Sequence, residues 1–524
     1  MNGRLARIGA WLRAGARDDR GATAVFFAVG LLLLAPATLG LVDVYMITTQ
    51  RGQLQEALDT ATLYAARSNK MTTAEIQVVG DNALRANLKL PDGQTITSST
   101  FTLSDEGKVT GHAAITPPNV GPRLWDQADI EANSEVLRNS NNVEVALVLD
   151  TTGSMSGEMG NLRTAAKDLV ELVVKDEQTP YYTKVALAPY SYGVNMGSYE
   201  AAARGPTRGS TAITGATRAN PVVITSAGHG LANGERVRIS GVRGMTQLND
   251  KTYIVADRTE NTFKLKRFNS GSEAWVDGRN FGEYSRGGAA ECRAEGCSQN
   301  TYTSVNNTEE TQSKTACATE RLGAHAYDDA SPQTGKVGWH YGSCTSRPIV
   351  PLTSNKAALK AAIDALDDNG STAGQIGVAW GWYLVSPEWA SVWGGSSAPA
   401  PYSTQQLLKV VVLMTDGAFN TPYCKGVAAR DSGSGAPSGR SRINCDSTNG
   451  DPFVQAQKLC AAMKAKGVTV YTVGFNVSAD ADVQNLMRNC ATSPDYVYFP
   501  NGGTALKIAF RAIAQDINSL RISK

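Results

Sequence analysis

Histidine is scarce: the 524 residues hold four, at His112, His229, His325 and His340. Nucleophilic catalysis needs a base that a third group positions, and hydrolytic zinc centres are built largely from imidazoles. Neither chemistry is signalled by so few, scattered rings. Charge of one sign is missing as well. A net charge of +2 with no long basic stripe removes the electrostatic footprint of a nucleic-acid-binding protein. No cysteine precedes Cys292. Aromatic residues make up only 7%, against 51 glycines, a balance that describes a loop-rich globular chain. Since domains usually hold ~100 to 200 residues, the length excludes a single ordinary domain, and roughly two to four units are expected.

What is present begins with an apolar run. Ala22 to Val42 carries no charged residue, and a helix rising ~1.5 Å per residue over that length just crosses a ~30 Å hydrocarbon core. This predicts a transmembrane helix over 22–47, longer than the ~7 to 15 apolar residues of a cleaved secretory signal. Arg4, Arg7, Arg13, Arg17 and Arg20 precede it, so the positive-inside rule places residues 1–21 in the cytoplasm and the rest outside. All eight cysteines fall in that outer part, an even number in a compartment where disulfides persist.

Helical spacing of Leu54, Ala57, Leu58, Ala61, Tyr64 and Ala65 continues the anchor as a stalk over 48–70. Short strand-like runs broken by "PDG" and "PPN" make 71–140 a small α+β or β region. From Val143 the pattern becomes buried strands alternating with amphipathic helices: "VEVALVLD", "KVALAPYS", "LKVVVLMTDG" and "GVTVYTVGF". Nearly continuous apolar strands separated by helices imply an α/β fold with a doubly wound, mostly parallel sheet, in two pieces, 143–198 and 347–520. Between them, 199–346 reads as an insert: a β module at 220–268 followed by a cysteine-bearing loop.

The stretch "ALVLDTTGSMSG", Ala146 to Gly157, runs an apolar strand into one carboxylate and a cluster of hydroxyls. Ligands of open parallel sheets bind at the carboxyl ends of strands, and hard cations want oxygen ligands. Asp150, Thr152 and Ser154 at alternate positions supply such a partial set. The strand "VVVLMTDG" adds Asp416, and the loop "DDNGSTAG" adds Thr372. In that order the five residues resemble the metal-ion-dependent adhesion site of von Willebrand factor A domains, with Thr152 replacing the usual Ser. The resemblance implies bound Mg²⁺, or Mn²⁺ or Ca²⁺, whose open position takes an acidic group from a protein partner. It implies a binding protein and not an enzyme; a metal-dependent periplasmic hydrolase and a structural pseudopilin with an empty site are the rival readings.

Two further resemblances bear on setting. Arg20 to Ala66 and "GVAWGWYLVSP", Gly377 to Pro387, resemble the TadG-like pilus-assembly proteins of the bacterial tight-adherence (Flp) system. That implies a single-pass bacterial inner-membrane protein whose outer domains, periplasmic or extracellular, meet a pilus or surface-assembly component. Asn220 to Phe268 is similar to a small β module of phage tail-like proteins and of a half-domain of ubiquitin-activating enzymes, and implies only a β fold. Cys292, Cys297, Cys317 and Cys344, with His325 and His340 among them, allow either a zinc site or disulfides, and the compartment favours disulfides. Cys424 with Cys445 and Cys460 with Cys490 are neighbours in sequence; connectivity is open at this level.

Overall fold

The computed structural model describes residues 19–523 apart from 69, 71, 105–107, 119–127, 138–140, 180 and 270. It divides into two compact units, 1–139 and 140–524.

The first unit is built on helix α1, Asp19–Arg67. Its later turns bury Leu54, Leu58, Ala61 and Ala65 together with Phe101, Val109 and Ala113 of a three-stranded antiparallel sheet, β1 Ile96–Leu103, β2 Lys108–Ile115 and β3 Ile130–Leu137. Helix α2, Thr73–Asn87, starts at an N-cap in which the Thr72 hydroxyl accepts from the Glu75 amide. It closes on the sheet through Gly80, where a Cβ would lie 2.3 Å from the Phe101 ring.

Among the described residues no helix is long and apolar enough to cross a membrane. The transmembrane helix expected over 22–47 is therefore not found. The apolar run passes without a break into the packed half of α1, as the stalk expected over 48–70 requires. The side chains of 19–25, 33, 36, 37 and 39 lie outside the described residues, as do residues 1–18 of the basic segment.

The second unit is a mixed α/β fold. Its central strands β4 Asn142–Asp150, β5 Thr183–Tyr190, β6 Leu407–Thr415 and β7 Thr469–Gly474 are parallel, in the order β5-β4-β6-β7. Val497–Tyr498 extends the parallel set beside β7. At the other edge Val194–Asn195, Cys317–Ala318 and Val350–Thr353 are antiparallel additions, so the sheet is mixed and not parallel throughout. Aliphatic side chains on both faces of β4 divide between two cores. Val143, Val145, Leu147 and Leu149 meet α3 Met159–Val173, α4 Lys356–Asp364 and α8 Gly503–Ser523. Ala146 and Val148 meet α5 Gly374–Val385, α6 Pro452–Ala465 and α7 Ala481–Cys490. Helix α5 lies close on the sheet because Gly377 and Gly381 face it: a Cβ would stand 2.6 Å from the Tyr190 ring and 2.4 Å from Val148.

Between β5 and β6 the chain builds an eight-stranded antiparallel sheet spanning 211–292, with its own core of Val237, Ile239, Tyr253, Phe263 and Leu265. The module is closed at its base, where the Arg208 amide donates to the Gly296 carbonyl at 2.7 Å. All eight cysteines are paired, Cys292–Cys297, Cys317–Cys344, Cys424–Cys445 and Cys460–Cys490. This overturns the zinc alternative for the insert, because a sulfur already bonded to sulfur offers no thiolate to a metal.

Candidate metal centre

Parallel pairing in register carries three strand ends to one place. Asp150, the last residue of β4, stands opposite Tyr190, the last of β5, while Leu149 stands opposite Met414 of β6. Asp416 follows directly. The loop after β4 is fastened from two sides: the Thr151 amide donates to the Tyr190 carbonyl at 2.9 Å, and the Gly153 amide donates to the Gly370 carbonyl at 3.0 Å. Gly370 has φ +91°, and any Cβ on it would strike the Tyr192 ring at 2.7 Å. Glycine is thus required for that loop to reach the site.

Asp150, Thr152, Ser154 and Asp416 form one chain of oxygens. The Thr152 hydroxyl donates to Asp150 Oδ1 at 2.6 Å, the Ser154 hydroxyl donates to Asp416 Oδ1 at 2.7 Å, and the two hydroxyl oxygens lie 2.9 Å apart. Each of the two hydroxyls carries a single proton, and either can be the donor of the contact between them. Asp150 is fully buried; the Thr152 amide and the Thr415 hydroxyl also donate to it, and the Tyr190 hydroxyl lies between its Oδ2 at 3.1 Å and the Met414 carbonyl at 3.0 Å. Burial raises its carboxyl above the usual range despite these donors. Asp416 is pushed up to about 7, by burial first and then by the charge of Asp150. No cation of the protein is among the causes of either shift.

The expected residues are thus not placed alike. Four are joined by hydrogen bonds. Thr372, buried in the adjoining loop, is held by its backbone: its amide donates to Asn420 Oδ1 at 3.0 Å and its carbonyl accepts from the Asn420 amide at 2.9 Å. Among the described residues its hydroxyl makes no hydrogen bond to the other four. Sequence reading missed Tyr190, Thr415 and Asn420. Tyr190 and Thr415 were findable, since each ends a predicted strand beside Asp150 or Asp416. Asn420 had no local signal, because its role is fixed by a loop 48 residues away.

The residues fit a hard divalent ion. Neighbouring ligands of octahedral Mg²⁺ at ~2.1 Å stand about 3 Å from one another, the spacing already held between Thr152 and Ser154. The donor set is all oxygen and includes only two carboxylates; among the described residues no group of three or more His, Cys, Asp or Glu side chains is placed to hold a metal ion.

Comparison with known proteins finds one family model, the ubiquitin-activating enzyme E1 FCCH domain, matching residues 220–293. No curated protein matches the chain. Among solved structures, the chain is similar to the vWF domain of the type V pili tip protein Mfa5 from Porphyromonas gingivalis, at 11% identity and TM-score 0.34, covering 74% of this chain and 97% of that one. It is also similar to the pilus adhesin SpaC from Lactobacillus rhamnosus GG, at 13% identity and TM-score 0.31, covering 82% and 35%. The PilB minor pilin from Streptococcus sanguinis is similar at 11% identity and TM-score 0.29, covering 82% and 78%. TM-scores this low leave the functional reading to the site itself.

Proposed function

We propose that this protein binds another protein through a divalent cation held by Asp150, Thr152, Ser154, Thr372 and Asp416, with Mg²⁺ the first choice and Mn²⁺ or Ca²⁺ the alternatives. The observation that carries this reading is the chain of oxygens in which two carboxylates, from the ends of two adjacent strands, are linked through two hydroxyls 2.9 Å apart. In this reading Thr152 and Ser154 offer their hydroxyl oxygens to the ion. Asp150, fixed by four donors, orients Thr152, and Asp416 orients Ser154 while both carboxylates balance charge. When bound, the ion supplies an open coordination position for a carboxylate of the partner. The resemblance of Arg20 to Ala66 and Gly377 to Pro387 to pilus-assembly proteins supports a pilus or surface-assembly component as that partner, and four disulfides suit a location outside the cytoplasm.

Thermal unfolding of the full chain with and without Mg²⁺ tests the site. At ~100 times the dissociation constant the ion adds about 2.7 kcal/mol of stability, and the gain is expected to vanish in Asp150→Ala and in Asp416→Ala. An equal gain in all three proteins, or none in the wild type, would sink the proposal.

A further inference from the structure

The last residues of the insert brace the metal centre from behind. Cys344 is bonded to Cys317, and Cys317 stands opposite Asn195 in the sheet. Ser346 is anchored as well: its hydroxyl donates to the Gly193 carbonyl at 3.1 Å, and its carbonyl accepts from the Asn195 side-chain amide at 3.0 Å. Thr345 stands between these two anchors. Its hydroxyl donates to the Asn369 carbonyl at 3.2 Å and lies 2.8 Å from the Ser191 hydroxyl. A carbonyl brings no proton, so the single proton of Thr345 goes to Asn369, and the buried Ser191 hydroxyl can donate to Thr345 in turn.

This hydroxyl joins two loops. Ser191 follows β5 directly, and its carbonyl accepts from the Ala373 amide at 2.9 Å. The stretch 369–373, which carries Thr372, is thus tied to Ser191 at both ends, at Ala373 directly and at Asn369 through Thr345. That stretch in turn holds the loop after β4. The Asn369 amide donates to the Thr151 carbonyl at 3.0 Å, and the Gly370 carbonyl accepts from the Gly153 amide at 3.0 Å. These two bonds flank Thr152 and lead into Ser154. A shift of Asn369 therefore reaches Thr152, Ser154 and Thr372 together, although among the described residues Thr345 makes no hydrogen bond to any of the three. Side chains behind a metal's ligands typically change its affinity by ~10- to 100-fold. Mg²⁺ demands ligands at ~2.0 to 2.1 Å in near-ideal octahedral geometry, whereas Ca²⁺ accepts ~2.3 to 2.6 Å and irregular shells. Displaced loops penalise the stricter ion more.

We infer that Thr345 is a positioning residue of the metal centre, and that through it the end of the insert raises the affinity for Mg²⁺ relative to Ca²⁺. Threonine suits the task, because its branched Cβ restricts the rotamer that holds the hydroxyl in place. The inference rests on the metal-dependent reading above, so one arm of its test uses no metal.

In the first arm, hydrogen-exchange mass spectrometry follows the full chain in EDTA. Thr345→Val keeps the branched shape and removes the hydroxyl. Peptides covering 151–157 and 367–373 should then exchange about 5-fold faster than in the wild type, the effect of one net hydrogen bond, while β4 peptides stay unchanged. Thr345→Ser should restore slow exchange, and Ser191→Ala should loosen the same two segments. Unchanged exchange in both segments of Thr345→Val, or faster exchange spread over β4 as well, would overturn the inference whatever the ions do. In the second arm, Mg²⁺ and Ca²⁺ are titrated separately by calorimetry. Thr345→Val should bind Mg²⁺ about 10-fold more weakly than the wild type and Ca²⁺ no more than about 3-fold more weakly, with Thr345→Ser close to the wild type for both. Equal losses for the two ions, or none, would overturn the inference and spare the metal site. A wild type that binds neither ion while the first arm succeeds would overturn the metal reading and the assigned selectivity with it, leaving Thr345 a clamp between two loops.

Discussion

Strand β4 buries a carboxylate at each end, and the two are treated differently. Glu144 and Asp150 are both fully inaccessible. Glu144 has a counter-ion inside the fold: Lys409, its register partner on β6, donates at 2.5 Å, with the Tyr182 hydroxyl and the Ala400 amide completing the shell at 2.9 Å. Asp150 has neutral donors, one of them the Tyr190 hydroxyl shared with the Met414 carbonyl, no cation partner among the described residues, and a second carboxylate nearby. One end of the sheet closes its charge within the protein. The other end pairs its carboxyl with neutral donors alone, the setting in which burial raises a carboxyl and in which the proposed cation would be needed to keep it ionised.

The comparison can be broken most forcefully at Lys409. Lys409→Met leaves Glu144 buried without its partner and should cost about 3 to 5 kcal/mol in chemical denaturation, whereas Glu144→Gln with Lys409→Met should recover most of it. A double variant as unstable as the single one would mean that the lysine contributes packing and not charge balance.

A third carboxylate sharpens the contrast through pH. Glu320 is capped by Gln375 at 2.8 Å, and burial lifts it from 4.5 to about 7. The folded state therefore holds that proton more tightly than the unfolded state. The penalty is absent below pH 4.5, grows as pH rises toward 7, and is complete above it. The span corresponds to about 3 kcal/mol, which Glu320→Gln should remove at pH 8 while changing little at pH 4. Parallel stability profiles for the two proteins would contradict this.

The smallest effect is expected at Asp416. In EDTA at pH 8, Asp416→Asn relieves the repulsion with Asp150 and should stabilise the chain by about 1 kcal/mol, while abolishing the response to Mg²⁺. Destabilisation in EDTA would show that the Ser154 hydrogen bond outweighs the repulsion.

Much of this was readable in the sequence because strand ends are local. Continuous apolar runs ending in Asp150 and Asp416 exposed the α/β fold and two corners of the site, and the pairs Cys424–Cys445 and Cys460–Cys490 matched their neighbourhood. What stayed hidden depends on register and on distant loops. Glu144 and Lys409 face each other across 265 positions of sequence, and nothing near Thr372 announces Asn420. The apolar run at 22–47 was read from hydropathy alone, and among the described residues no helix meets the length and apolarity of a membrane span; the stalk that the helical spacing predicted beyond it does continue the same helix.

One junction has a practical reading. The β module leaves and rejoins the chain at Arg208 and Gly296, which are already hydrogen-bonded to each other. Backbone ends that meet in this way make the intervening segment a cassette: its length adds little to the entropy of closing the loop, and a different domain could be spliced between them without rethreading the sheet that carries Asp150. An engineered exchange of the module at this junction should therefore leave the end of the sheet that carries Asp150 intact.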